Sequence, residues 1–409
     1  MEMMVCSPGR KMAAASLAPL EFDPYAYQVH EDPYPVYARL RAEAPAYRNE
    51  ALGFWALSRH ADVLAGFRDW QHFSNRNGVS LDLDAFHENA ETTMSFLAMD
   101  PPRHDRLRAL VSRGFTPRRV SSLEPHIRAL SVRYLDSFVE KGSCDFIRDF
   151  AGRLPMDVIS EMLGVPAEDR PTLREWADLV VHREEGVRGL PPAAAQSALR
   201  MLHYFTELLA DRRARPRDDL TGALIAAEID GDRLSEREIV LTTATFVMAG
   251  VESLSSFMSM LALNLHDYPD ARRRIVADPA LMAAAIEESL RFNTSAQRFK
   301  RVVMRETELH GQRLKVGDKV VLAFGSGNRD WRKFPDPDVY DVERRPQGHL
   351  GFGSGTHFCL GSQMARLVTE VAMKRFLERV PNYHLTTPAL AWNSSSNFRS
   401  PVALPFATR

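Results

Sequence analysis

Two stretches hold residue types whose spacing suits them to chemistry. The first is Phe352-Gly353-Ser354-Gly355-Thr356-His357-Phe358-Cys359-Leu360-Gly361, which sets one cysteine between a glycine-rich approach and an apolar helical run over 363–368. Glycines at 353 and 355 allow tight turns and close approach of the backbone to something flat. A helix starting at or just after Cys359 would aim free N–H groups and its positive end at the sulfur. That setting favours the thiolate, the form that ligates metals. The second stretch is Ala249-Gly250-Val251-Glu252-Ser253, within an apolar segment. A mid-helix glycine costs about 1 kcal/mol against alanine, and an acid among apolar residues costs desolvation. Both costs call for a reason, unless Glu252 reaches solvent at a helix crossing.

Two charged pairs stand apart from these stretches. His104 and Arg108 lie four apart on one helical face, and Glu288 and Arg291 three apart. Taken alone, each reads as a solvated surface pair, worth about 0–1 kcal/mol.

The elements that must position these groups are mainly helical. Ser235-Glu236-Arg237-Glu238 is a capping box. The helix it opens is expected to run to about His266, roughly 45 Å at 1.5 Å per residue, enough to cross a domain core. Asp100-Pro101-Pro102 starts the helix bearing His104 and Arg108. Asp32-Pro33-Tyr34-Pro35 opens another, strands are expected at 46–48 and 54–57, and Ser58 suits the N-cap of the helix after them. Residues 73–99 lose periodicity and read as a long mobile loop. A helix between 144 and 166 turns Leu154, Val158, Ile159 and Leu163 inward. Two more, about 167–182 and 191–213, are joined by a charged, glycine-containing connector at 183–189. Strand-like runs follow at 298–304, 308–310, 312–314 and 319–324, and again at 383–386 and 397–406.

Composition narrows the class. With 409 residues, 45% hydrophobic and 26% charged, the chain can bury a large core in a soluble globular protein. A formal net charge of −1 gives no reason to expect nucleic acid or an anionic membrane as partner. Three cysteines, Cys6, Cys144 and Cys359, are odd in number and far apart, which argues against a disulfide framework and for a reducing, cytoplasmic setting. The apolar run at 244–251 stops at Glu252, short of the roughly 20 residues that span a bilayer. Residues 1–20 read as a flexible tail, and 21–409 as a single domain without a linker.

Phe352-x-x-Gly355-x-x-x-Cys359-x-Gly361, with His357 two before the cysteine, resembles the haem-binding loop of the cytochrome P450 family. Three further signatures in order strengthen the resemblance: the helix with His104 and Arg108, the Ala249-Gly250-x-Glu252-Ser253 segment, and Glu288-x-x-Arg291. The resemblance covers about 22–406. It implies a mainly α fold with small β-sheets, shaped as a triangular prism, with haem b between the long central helix and the cysteine-loop helix. Cys359 would be the iron ligand, with Phe352 and Gly361 shaping its loop. His104, Arg108, Arg301 and His357 would hold the haem carboxylates, which are costly to bury without cationic partners. Ala249 and Gly250 would leave room for dioxygen, and Glu252 and Ser253 would deliver protons. Ser253 stands where the family has threonine, which keeps the hydroxyl but loses the methyl that steadies χ1. Glu288 and Arg291 would be buried and joined by an unidentified arginine of the region around 328–337. The turns Asn293-Thr294-Ser295-Ala296-Gln297 and 393–396, including Ser395 and Ser396, would face the substrate.

The activity implied is a monooxygenase using dioxygen and two electrons from a separate ferredoxin or flavodoxin with its reductase. It would act as a monomer without a membrane anchor, on a medium-to-large organic substrate of secondary metabolism. Arg103, Arg106 and Arg366 would mark the docking face of the electron donor. Oxidative coupling or ring closure by the same cofactor, and a non-catalytic haem sensor, are the alternatives. A zinc site at Cys359 with His357 or His349 lacks tetrahedral ligand spacing, and Gly351-x-Gly353-x-Gly355 lacks the βαβ unit of a nucleotide site.

Overall fold

The helix Glu236–Asp267 is the spine of the fold, 32 residues long. Its capping box forms as expected: Glu238 N donates to Ser235 Oγ at 3.3 Å, and Ser235 N donates to the Glu238 carboxylate at 2.8 Å. Apolar residues from Ile239 to Leu265 are buried along it. It is also the one helix among the described residues long and apolar enough to cross a membrane, and most of it is packed inside the protein. The computed structural model describes residues 19–184 and 186–408. The expected tail therefore lies almost wholly outside the described residues, as does Cys6.

Three helical layers pack on the spine. Arg153–Leu163 crosses it with Leu154, Val158, Ile159 and Leu163 buried, as their spacing requires. A Cβ at Gly250 would come within 2.6 Å of Ile159 Cδ1, so the mid-helix glycine permits this close crossing. The pair Arg170–Val181 and Pro192–Ala214 pack on each other and on the spine. Met282–Phe292 and Ser362–Arg379 meet on the remaining side.

A five-stranded sheet flanks the helices in the order 46–49, 54–57, 319–322, 299–303, 73–74. Lys319–Leu322 runs parallel to Phe54–Leu57 and antiparallel to Phe299–Val303, with Val320 opposite Arg301. Smaller sheets join Ser143–Asp145, Pro405–Ala407 and His384–Leu385, and form two hairpins at 228–233 and 307–314. The chain is mainly α with small sheets.

Some local expectations fail. Ser58 does not cap the helix His60–Arg68; Arg59 holds the N-cap position and Ser58 Oγ turns back to the Pro45 carbonyl at 3.4 Å. Residues 73–99 are not structureless. They contain the short strand Phe73–Ser74, 3-10 turns at Leu83–Ala85 and Ser95–Ala98, and the helical turn Glu91–Met94. Their polar groups bond within the segment, as Asn75 Nδ2 does to Leu97 O, and to distant elements, as Ser80 Oγ does to Asn397 Oδ1 and Ser95 Oγ to Thr242 Oγ1. The run at 397–406 keeps strand geometry only at Pro405–Ala407, because the earlier residues make isolated bridges, Ala296 to Phe398 and Trp392 to Pro401.

Candidate active site

The cysteine loop is held from both sides. Cys359 N donates to Phe352 O at 3.0 Å and Gly353 N to Leu350 O at 2.9 Å. Gly353 and Gly355 have φ of 69° and 70°, which disfavours any side chain there. A Cβ at Gly355 would also come within 2.7 Å of Phe67 O. The helix behind the loop begins at Ser362 with Gly361 at its N-cap. The Gly361 amide, Arg108 and Arg366 all pull the Cys359 thiol towards ionisation, but burial outweighs them and pushes its pKa up. The expected pull of the helix start is present in the Gly361 amide, and burial outweighs it. A positive charge at the sulfur is needed, as a coordinating metal supplies.

Around the loop the protein gathers two histidines and two arginines, His104, His357, Arg108 and Arg301, with few acceptors for their donors. His104 is fully buried, and its ring centroid lies 4.1 Å from that of His357. His104 Nδ1 bonds Asp105 at 2.8 Å, while His104 Nε2 and both ring nitrogens of His357 have no hydrogen-bond partner among the described residues. The Met99 backbone lies beside the His357 ring without bonding geometry. Among the described residues, the guanidinium of buried Arg301 hydrogen-bonds only Lys300 O, at 2.7 Å, and that of Arg108 only Phe358 O, at 2.6 Å. Burial, then the neighbouring His104, Arg301 and Arg108, drive the His357 pKa well below the usual value. Burial holds Arg301 down at about 10, and Asp100 only partly compensates, its carboxylate being bonded to Ser74 Oγ and Asn75 N. Buried donors are normally satisfied. A ligand bringing two carboxylates would satisfy these, and haem fits that requirement.

Across the fold, Ala249 is exposed and Gly250, Glu252 and Ser253 are half-buried at the middle of the spine. Glu252 is raised to about 7, chiefly by desolvation. Asp82 pushes the same way, and Arg183 and a Ser395 hydrogen bond oppose it. Ser253 Oγ donates to Ala249 O at 2.7 Å, so its proton is committed to the helix and its lone pairs remain to accept one.

A buried ion pair braces the loop. Arg291 and Glu288 are fully buried and bonded at 2.7 and 2.8 Å. Arg291 also donates to Asn328 O, Pro337 O and Val339 O. Arg344 closes the network on Glu288 at 3.2 Å. Asn328 Oδ1 accepts from Leu350 N at 2.7 Å, which carries the bracing to the start of the cysteine loop.

A sequence model of the cytochrome P450 family matches residues 193–381. A putative cytochrome P450 123 from Mycobacterium tuberculosis is 45% identical over 391 residues, covering 95% of this chain and 97% of that protein. The chain belongs to the cytochrome P450 family. Nocardicin C N-oxygenase of Nocardia uniformis is 37% identical, with 94% and 96% covered. The solved structure of the P450 PksS of the Bacillus subtilis bacillaene polyketide synthase superposes with a TM-score of 0.86 at 30% identity, covering 95% of this chain and 100% of that one. This P450 is a monooxygenase using haem b, and with named oxygenases among its relatives the sensor reading falls away. When bound, the haem activates dioxygen for transfer of an oxygen atom to an organic substrate.

Other expected site residues are used differently. Asn293 bonds Tyr34 Oη, Asn264 and Arg399, and Gln297 bonds Thr294 O and packs on Gly325. Ser396 Oγ donates to Asp82 at 3.2 Å. These side chains bond to the framework at the turns expected to face the substrate. Thr294 Oγ1 is buried without a hydrogen-bond partner among the described residues, Ala296 bridges Phe398, and Ser295 Oγ donates to Ser253 O at 3.3 Å. Arg106 is spent on Asp232 and Glu238, and Arg366 on Glu287. Sequence reasoning missed Arg344, Asp82 and Arg183; all three act through contacts more than 50 residues away, for which no local signal exists.

Proposed function

We propose that this P450 hydroxylates or epoxidises a medium-to-large organic substrate of secondary metabolism, as a cytoplasmic monomer fed by a ferredoxin or flavodoxin and its reductase. The observation that carries the monooxygenase mechanism is the acid at the oxygen side. Glu252, with a pKa of about 7, can both hold and release a proton near neutrality. Ser253 can accept and relay that proton, and Cys359, the histidines and the arginines hold the cofactor on the opposite side. The relatives that act in nocardicin and polyketide biosynthesis support a biosynthetic substrate.

On this reading electrons enter on the cysteine side. A groove of about 530 Å³ there is lined by Arg68, Lys333, Arg344, Arg345 and Arg366. Glu287 is its one carboxylate among the described residues, already bonded to Arg366 and His349. An acidic donor protein complements this groove, rather than the Arg103 and Arg106 side. Oxidative coupling stays the second reading because Ser253 has its proton committed to Ala249 O. The test is a metabolite screen for compounds that shift the ferric haem to high spin, followed by turnover under labelled dioxygen. Label in the product supports oxygen insertion; unlabelled, cross-linked product supports coupling. No spin shift and no turnover with any ferredoxin system would overturn both.

A further inference from the structure

Three side chains from three elements meet in the groove on the cysteine side. Glu287 of Met282–Phe292 takes Arg366 of Ser362–Arg379 through Nε at 2.6 Å and Nη2 at 3.0 Å. Its Oε2 also meets Nε2 of His349 at 3.0 Å. The hydrogen in that contact belongs to the ring, because His349 Nδ1 already accepts the Gly351 amide at 3.2 Å. Glu287 thus receives three donors, from two segments that flank the cysteine. Burial acts to raise its pKa, but the His349 and Arg366 bonds outweigh it and hold it at about 2, so the carboxylate is ionised near neutrality. Glu288, the next residue, is bonded to Arg291 and Arg344 and is not free to stand in for it.

The guanidinium held in this way lies over the Phe352 ring, 4.5 Å from its centroid. Phe352 O in turn accepts Cys359 N at 3.0 Å, so one aromatic residue separates this cation from the residue that carries the sulfur. Arg366 acts on the sulfur through space, as Arg108 does. The two differ in their pairing. Arg108 bonds a neutral carbonyl, that of Phe358, whereas the charge of Arg366 is offset at bonding distance by Glu287. Charges in a partly desolvated site act on one another more strongly than in water. One carboxylate therefore decides whether the sulfur meets the charge of Arg366 in full.

We propose that Glu287 is a positioning residue for the haem ligand: it seats Arg366 over Phe352, offsets its charge there, and thereby tunes how readily the iron accepts its first electron. This role rests on Cys359 being the iron ligand. Reduction adds one negative charge at the iron. A cation left unpaired beside the sulfur favours the reduced state, and an anion left unpaired disfavours it, since groups around the ligand are levers on a haem potential.

The test uses the full-length, haem-loaded protein without substrate and reads the midpoint potential of the ferric–ferrous couple by equilibrium redox titration. Glu287→Gln should raise the potential and Arg366→Gln should lower it. The double variant, with neither charge, should return close to the unaltered value. Arg366→Lys keeps the charge and should fall between the unaltered protein and Arg366→Gln. A brace whose loss merely loosened the loop would move both single variants the same way. Shifts of the same sign in those two variants, or no shift in either, overturn the proposal. Should Glu287→Gln fail to load haem, Arg366→Gln against Arg366→Lys decides, and equal potentials overturn it. The reduced carbon monoxide complex is recorded for every protein. A red-shifted band throughout shows that the sulfur still ligates, and a failed potential test then counts against this role alone. A globin-like band in the unaltered protein overturns the ligation and this role with it.

Discussion

Replacing Glu252 with glutamine should stabilise the protein at alkaline pH and impair its turnover. Burial raises the folded-state pKa of Glu252 from 4.5 to about 7. Between those values the folded protein holds a proton that the unfolded chain has released, so stability falls as pH rises through that window. The full shift corresponds to about 3 kcal/mol at 1.36 kcal/mol per unit. About 2 kcal/mol of it is lost between pH 5.5 and 8.5. Glutamine keeps the shape and cannot ionise. Glu252→Gln should therefore gain stability relative to the native protein by about 2 kcal/mol across that range, measured by urea unfolding of the ferric protein at both pH values. Product formed per dioxygen consumed should drop at least tenfold, since positioned proton transfer contributes about 10²–10⁴. A stability difference that stays constant from pH 5.5 to 8.5 would refute the placement of an ionisable, desolvated acid on the spine.

Three further outcomes follow from other groups. Burial, reinforced by Arg298 and opposed by the Tyr25 backbone, lowers the His30 pKa to about 4; stability should therefore fall as pH drops from 6.5 towards 4, by about 3 kcal/mol, and His30→Leu should flatten that limb of the acid unfolding curve. Glu288→Gln removes one partner of a fully buried pair, a loss of about 3–5 kcal/mol, and haem incorporation should drop sharply while Arg39→Ala, a surface control, keeps it. Charge reversal by Lys333→Glu with Arg345→Glu should slow reduction by an acidic ferredoxin at least tenfold at low salt and leave ligand-induced spin shifts intact, with the deficit shrinking as salt screens the interface.

What the sequence disclosed was local. The Ser235–Glu238 box, the Gly-rich approach to Cys359 and the inward face of Arg153–Leu163 rest on neighbours within a few residues, and the structure shows each in place. The family resemblance implied a shared role for His104, Arg301 and His357; their convergence depends on the register of Val320 against Arg301 and on the packing of two distant segments. Charge partners at long range left no trace in composition. Arg106 resembled a free surface cation until Asp232 and Glu238 met it. Arg344 was indistinguishable from the other arginines of its region until Glu288 took it. Ser58 had the residue type of a cap, but the strand before it ends at Leu57 and its hydroxyl finds Pro45 O first.

The central claim is that Cys359 binds the iron as a thiolate, and the absorption of the reduced carbon monoxide complex tests it most directly. The native protein should show a Soret band shifted well to the red of histidine-ligated haem proteins, and Cys359→His should lose that shift while retaining haem. A native complex that absorbs like a globin, or a red-shifted band that persists in Cys359→His, would contradict the assignment.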